Sequence, residues 1–180
     1  MTDASDAFVR PAAEGDEPGI ARVHVASWQH AYRGHMPADY LAALDVGQRT
    51  AAWRQRLPAA KRSRGDLLVA LSGADVVGFV HYGPSRDADA DPGRTGEIGA
   101  IYLEPETIGE GVGRRLMAAA VLGLAALGYA DATLWVLDGN DRARRFYERA
   151  GWAADGTELT DESRGFPIRE LRYRIDLQDQ

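Results

Sequence analysis

A strand-like run from Glu97 to Leu103 hands over within a few residues to Gly109, Gly111 and Gly113, and then to an apolar helix beginning near Val112. This junction restricts the fold more than any other feature. Glycines placed between a strand and a helix let successive backbone N–H groups converge on an anion beside the positive end of the helix dipole. A phosphate or pyrophosphate fits such a turn, and a tight ligand-free connection is the plainer alternative. Spacing excludes two common versions. A dinucleotide fingerprint counted from Gly109 needs its third glycine where Arg114 stands, and a P-loop needs Gly-Lys-Ser/Thr where Gly113 is followed by Arg114 and Arg115.

The flanking patterns are mixed α and β. Phe8 to Ala13 reads as a short strand, Asp16 as the N-cap of a helix running to about Tyr32, and residues 38–44 and 47–57 as two helical pieces ending at Pro58. Lys61 to Arg64 is expected to be a solvated loop. Leu67–Leu71 and Val76–Tyr82 form a hairpin around Ser72–Asp75, and Pro84 to Arg94, rich in Asp, Ala and Gly, reads as a mobile surface loop. After the junction, Leu116, Ala120, Leu124 and Leu127 give the helix its buried stripe and Gly128 supplies a left-handed C′ position. A strand at 132–137, a short helix from about Asn140 to Ala150 and strands near 152–158 and 168–177 complete the pattern. No internal repeat or linker is visible, so one domain over residues 1–180 is expected.

Composition narrows the chemistry. Cysteine is absent, which removes disulfides, thiol catalysis and cysteine metal sites, and the cytosol is the simplest compartment. With 21 basic and 27 acidic residues the net charge is −6, so a basic nucleic-acid footprint is missing. That balance favours a cationic acceptor such as a polyamine, an aminoglycoside or a lysine side chain. The acidic start, Met1 to Ala7, is unlike a secretion signal, and the longest uncharged apolar segment, Leu116 to Ala130, has 15 residues against the ~20 a bilayer requires. His24, His30, His35 and His81 form no HxxxH or HExxH pair, so no metal is expected, and no Gly-x-Ser-x-Gly elbow points to a serine hydrolase.

Asn140-Asp-Arg-Ala-Arg-Arg-Phe-Tyr147-Glu-Arg-Ala-Gly-Trp152 resembles the N-x-x-A-x-x-F-Y-E-x-x-G-F/W signature of the GCN5-related N-acetyltransferases (GNAT). Glu97-Ile-Gly-Ala-Ile-Tyr-Leu-Glu-Pro105 followed by Gly111-x-Gly113 resembles the same family's acetyl-CoA motif, and Ser27 to Gly34 with Pro37 looks like the first helix of one bacterial branch. The resemblance covers about residues 8–176. It implies an α/β fold with a central, mostly antiparallel sheet that splays after the Glu97 strand, flanked by helices. It also implies transfer of acetyl from acetyl-CoA to a primary amine by direct attack. A non-catalytic acyl-CoA-binding module and a transferase of longer acyl chains are the alternatives. The amine partner stays open, as does the choice between monomer and homodimer.

The resemblance distributes roles along the chain. Backbone groups of Ile101, Tyr102 and Leu103 would pair with the pantetheine arm, and amides from Ile108 through Gly109, Glu110, Gly111, Val112 and Gly113 to Arg114 would hold the pyrophosphate. The family usually has Gln or Arg where Ile108 stands, so a side-chain contribution is missing there, for which Arg114 or Arg115 is placed to compensate. Tyr147 would protonate the CoA thiolate, as a phenol of ordinary pKa ~10 can at neutral pH; the alternative is a core anchor. Asn140 and Ala143 share its helix face at i, i+3 and i+7, and Asn140 also suits an N-cap. Glu97, on the strand face of Gly99, Ile101 and Leu103, would act as base directly or through water, or else pair with an arginine. Trp28 and Tyr32 would wall the acceptor pocket or serve as core aromatics. His81 reads as a strand-surface histidine, with the acceptor cleft as its alternative.

Overall fold

Every side chain from Leu67 to Leu71 is buried, which marks this segment as a strand covered on both faces. In the computed structural model, which describes residues 7–178, it is part of β2 (Asp66–Ser72), near one end of a seven-stranded sheet. The other strands are β1 (Phe8–Pro11), β3 (Asp75–Pro84), β4 (Thr95–Leu103), β5 (Asp131–Leu137), β6 (Ala153–Asp161) and β7 (Ile168–Asp176), in the order β1-β2-β3-β4-β5-β7-β6. All neighbours are antiparallel except β4 and β5. Five helices accompany them: α1 (Glu17–Ala31), α2 (Ala38–Ala42), α3 (Val46–Arg62), α4 (Val112–Ala126) and α5 (Asp141–Arg149). No helix among the described residues is long and apolar enough to cross a membrane, and the acidic start, Met1 to Asp6, lies outside the described residues.

Two apolar layers hold the helices. Leu116, Met117, Ala120 and Leu124 of α4 pack on Leu68, Ala70 and Val80 on one face of the sheet. Ile20 and Val23 of α1 with Trp53 and Leu57 of α3 pack on Leu67, Val69 and Phe79 on the other. The hairpin turns at Gly73, whose φ of +60° is the positive value that a type II′ turn needs at its first central residue. Gly128 adopts the expected left-handed conformation, φ +83°.

Four local expectations need correction. Asp16 precedes α1 without capping it: its carboxylate accepts from Arg10 at 2.7 and 2.9 Å and from the Ala13 amide at 2.8 Å. The helix expected to stop at Pro58 continues to Arg62. A proline removes one amide bond, and burial of Leu57 and Ala60 on either side of it offsets that loss. Lys61 and Arg62 are therefore helical, and Arg64 is fixed: it has φ +55°, donates to the Leu127 carbonyl at 2.7 Å and covers the Tyr129 ring at 4.9 Å. Last, the segment from Pro84 to Arg94 is tied down rather than loose.

That last correction has one main cause. Arg172 on β7 is only 5% exposed. It donates to Asp89 at 2.7 and 2.9 Å, to Asp155 at 2.7 Å, to Thr157 at 2.9 Å and to Asp87 at 3.3 Å. Asp87 also accepts from Trp135 Nε1 at 2.8 Å and from the Thr133 hydroxyl at 3.2 Å. The hydrogen bonds it donates to Asp89 foremost, and then to Asp155, push the guanidinium further up from its ordinary pKa. One buried cation thus ties the β3–β4 connection to β5, β6 and β7.

Breaking a buried ion pair from one side leaves the other charges unpaired, at a typical cost of about 3 kcal/mol. Arg172→Met is expected to lower stability by roughly that much and the melting temperature by about 6–12 °C for a chain of this size, read by calorimetry; a shift under about 2 °C would show that the network holds nothing.

Candidate active site

β4 and β5 begin as neighbours and then part. Their parallel ladder runs from Thr95↔Asp131 to Ile98↔Leu134 and goes no further. β5 instead follows β7 over its whole length, Asp131↔Asp176 to Leu137↔Glu170, while β4 stays with β3 up to Leu103↔Gly78. The edge of β4 from Gly99 to Leu103 is therefore unpaired toward β5, and a cleft of about 610 Å³ opens there, with Leu134, Trp135 and Val136 as its opposite wall. Backbone N–H and C=O groups left open on a strand edge accept another extended chain.

The glycine turn closes one end of the cleft. Gly109 and Gly111 have φ of +103° and +83°, and Gly111 is the N-cap residue of α4. Side chains rarely adopt such backbone, so the aim of the amides around α4's first turn depends on these two glycines. Gly113 serves differently, since a Cβ there would stand 3.2 Å from Leu103 Cδ1 and 3.5 Å from Phe146, which seats α4 close to β4 and α5. Ile108, Gly109, Gly111, Gly113 and Arg114 all line the cleft. Glu110 and Val112 do not: Glu110 points to solvent and Val112 is wholly buried in the α4 core.

Helix α5 supplies another wall. Asn140 caps it, with Oδ1 accepting from the Ala143 amide at 3.1 Å, and still lines the cleft with Ala143 and Tyr147. Ile101, Tyr102, Leu103 and Tyr32 line the same space. Trp28 does not reach it. Its ring lies beneath, 5.1 Å from Tyr32 and 6.3 Å from Tyr102, which makes it the core aromatic of the two.

Glu97 sits elsewhere, because the alternation that predicted its face is interrupted. Tyr82 pairs with Ile98 but His81 with Ala100, leaving Gly99 as an extra residue in β4. This β-bulge flips the pleat. Ile98, Ile101 and Leu103 pack toward α4, whereas Ala100 and Tyr102 pack toward α1 and α3. Glu97 is on the latter side, with His81 and Ala100, and not on the face of Ile101 and Leu103. It lines a second cavity of about 280 Å³ that has Gly99 and Ala100 in common with the lining of the main cleft. There it is buried and paired, accepting from the Arg86 amide at 2.9 Å, from Arg86 Nε at 3.1 Å and from a guanidinium nitrogen.

Burial governs the electrostatics. It pushes the Tyr147 phenol above its ordinary value, with the neighbouring Tyr102 hydroxyl adding to the shift, and raises Tyr32 and Tyr102 as well. All three stay neutral donors. Under Tyr102 lies His24, stacked at 5.2 Å and 20°, whose Nδ1 accepts from Trp53 Nε1 at 3.2 Å. Among the described residues no group partners its Nε2. Burial first, then Arg49 and Arg56, pushes His24 down to about 3. The same cause with Arg86 and Arg56 pushes His81 down to about 4. No cluster of three or more metal-ligating side chains occurs among the described residues.

The model of the Acetyltransferase (GNAT) family matches residues 25–152. The chain belongs to the GNAT acetyltransferase family. It is 30% identical over 174 residues to the probable N-acetyltransferase Rv2775 of Mycobacterium tuberculosis, covering 95% of this chain and 94% of that one. It is also 33% identical over 132 residues to the uncharacterized N-acetyltransferase YuaI of Bacillus subtilis, covering 73% and 72%. The fold is that of the PaiA N-acetyltransferase from Thermoplasma acidophilum, solved in complex with coenzyme A, with TM-score 0.76 at 18% identity over 95% of this chain and 99% of that chain.

Within this GNAT frame several lining residues lay outside the sequence reading. Ser27, His30 and Ala31 present one edge of α1 to the cleft, a face whose i, i+3, i+4 spacing is visible in the sequence. Leu134 to Val136 gave no such signal, because their role depends on β5 lying beside β4. Glu170, which lines neither cavity, stands opposite Leu137 on β7, half-buried, with no hydrogen bond or ion pair to its carboxylate among the described residues, and burial pushes it up against the lowering effect of Arg164.

Buried His24 and half-buried His81 set a pH limit. An unfolded histidine titrates near ~6.5, so the unfolded chain binds these protons first, and stability is complete above that pH and falls as pH drops toward the folded values. Each imidazole costs up to roughly 1.4 kcal/mol per pH unit between pH 6 and pH 4.5. His24→Gln keeps an acceptor for Trp53 and removes one titration, so urea melts over that range are expected to show about half the wild-type slope; an unchanged slope would place the acid sensitivity elsewhere.

Proposed function

We propose that this protein transfers an acetyl group from acetyl-CoA to a primary amine by direct attack within a ternary complex. One observation carries the reading: the unpaired edge of β4, the glycine turn before α4 and the Tyr147 side chain line a single cleft. The residues present fit the ligand. The positive-φ backbone at Gly109 and Gly111 leaves the amides at α4's start unobstructed for a pyrophosphate, and the open edge at Ile101–Leu103 suits an extended amide-bearing arm. Ile108 adds no charge there; Arg114 on the same turn does.

Bound acetyl-CoA would supply the acetyl group already activated as a thioester. Backbone N–H groups of β4 polarise its carbonyl, and one such donor in acyl transfer is typically worth ~3 kcal/mol. As the carbon–nitrogen bond forms and the carbon–sulfur bond breaks, the amine proton passes to Glu97 and the Tyr147 phenol gives its proton to sulfur, regaining one from solvent. Glu97 acts through water, because its carboxylate is engaged by Arg86. Arg86 is exposed for most of its side chain while Glu97 is not, so the arginine is the mobile half of the pair.

Calorimetry with CoA and release of free CoA thiol in the presence of an amine panel test the reading. Binding heat together with amine-dependent release is expected. Heat without release across the panel would favour a non-catalytic acyl-CoA module, release only from longer acyl-CoAs would favour the longer-chain transferase, and no heat would end the assignment. Tyr147→Phe is expected to lower kcat about 100-fold with the acetyl-CoA Kd changed less than about twofold. Since burial raises the phenol, wild-type kcat is expected to show no alkaline fall at the ordinary phenol pKa of ~10.

A further inference from the structure

The second cavity lies between α3 and the β3–β4 hairpin, bounded by Trp53, Arg56, His81, Arg86 and Glu97, and it shares Gly99 and Ala100 with the lining of the main cleft. Its charge is opposite in sign to that of the chain as a whole, which carries −6. Arg86 is balanced by Glu97. Arg56 has no carboxylate partner among the described residues, and neither has Arg49, two turns earlier on α3. Both are ordered against aromatic rings instead, Arg56 at 5.3 Å from the Trp53 centroid and Arg49 at 5.6 Å from Trp28. Arg49 and Arg86 lie near enough to Arg56 to disfavour its charge, in addition to the effect of burial. His81 is neutral near pH 7 and contributes no charge of its own.

Arg56 and Arg86 face this cavity with Glu97 as their one carboxylate, and Arg49 stands close by on α3, so the cavity holds an excess of positive charge that an entering anion would balance. Guanidinium groups bind carboxylates with directional paired hydrogen bonds, and the rings of Trp28 and Trp53 hold two of them in place before a ligand arrives. The shared wall at Gly99 and Ala100 matters equally. A small molecule anchored in this cavity can present its other end to the unpaired stretch of β4, where the acetyl group would lie if the function proposed above holds.

We propose that the acceptor is a small amine that also carries a carboxylate, with Arg56 anchoring the carboxylate and Arg49 and Arg86 adding to the positive field, while the amine reaches β4 at Gly99–Ala100. The inference rests on the transferase reading and reverses the preference for a polycationic acceptor that net charge alone suggests. Specificity comes from the cavity and not from the overall charge.

The test measures CoA release with α-, β- and γ-amino acids, each paired with the amine left when its carboxyl group is removed. At least one acid is expected to exceed its decarboxylated partner about tenfold in kcat/KM. Arg56→Met keeps an apolar stem over Trp53; it is expected to raise KM for that acid about tenfold and to leave kcat and the KM for acetyl-CoA within about twofold. Equal use of the decarboxylated amines, an unchanged KM in Arg56→Met, or no release with any acid would each overturn the proposal. Calorimetry with CoA on the same samples separates the two readings: retained heat with no preference for acids removes the acceptor assignment alone, and lost heat in the wild type removes the transferase reading with it.

Discussion

The ladder between β4 and β5 ends at Ile98 and Leu134, and the rest of the site depends on that ending. A sheet satisfies its backbone groups by pairing, so two strands part only if something else holds each of them. β3 holds β4 to its last residue and β7 holds β5 over its full length. The bulge at Gly99 adds local twist where the strands separate, and the Arg172 network fixes the β5–β7–β6 half of the sheet to the segment that precedes β4. The gap is thus maintained from both sides by interactions lying outside it.

The same bulge divides the chemistry between the two faces. On the α4 side, Ile98, Ile101 and Leu103 are apolar and the site offers mainly backbone. On the α1 and α3 side, Glu97, His81, Arg86 and Tyr102 offer side chains. Had the pleat continued through Gly99, Glu97 would have entered the α4 core, where an ionised carboxylate without partners is strongly disfavoured. Instead it meets Arg86. Tyr147 reaches the gap from the α4 side, and burial there keeps its phenol protonated.

What could be read from the sequence follows that division. Gly128 is legible because a left-handed helix end favours glycine, and Asn140 because a helix start demands an acceptor; both behave as expected, and Gly109 and Gly111 prove to have positive φ as well. The seven strands and the main helices follow from periodicity, and the one helix end that failed, at Pro58, failed because burial of Leu57 and Ala60 outweighs a local rule. Glu97's face was misread because alternation assumes an unbroken pleat, and a single Gly99 does not announce a bulge. Asp16 reads as a cap until Arg10 is found beside it. The supposedly mobile segment from Pro84 to Arg94 is fixed by Arg172, some eighty residues away in the chain, and no window of sequence holds both partners.

This asymmetry has a physical basis. A nucleotide cosubstrate held by backbone amides requires particular φ values at a few contiguous positions, so under the proposed function its site would be local in sequence and would not depend on a polar side chain at Ile108. An acceptor is distinguished by side chains, and under the proposal made above these come from α3 and the β3–β4 hairpin. Arg56 and Arg86 are brought to one cavity only when α3 is laid against β3 and β4. Glycine spacing therefore indicates what class of group the cleft can hold, whereas the acceptor proposed above is inferred from charges that only the folded chain brings together.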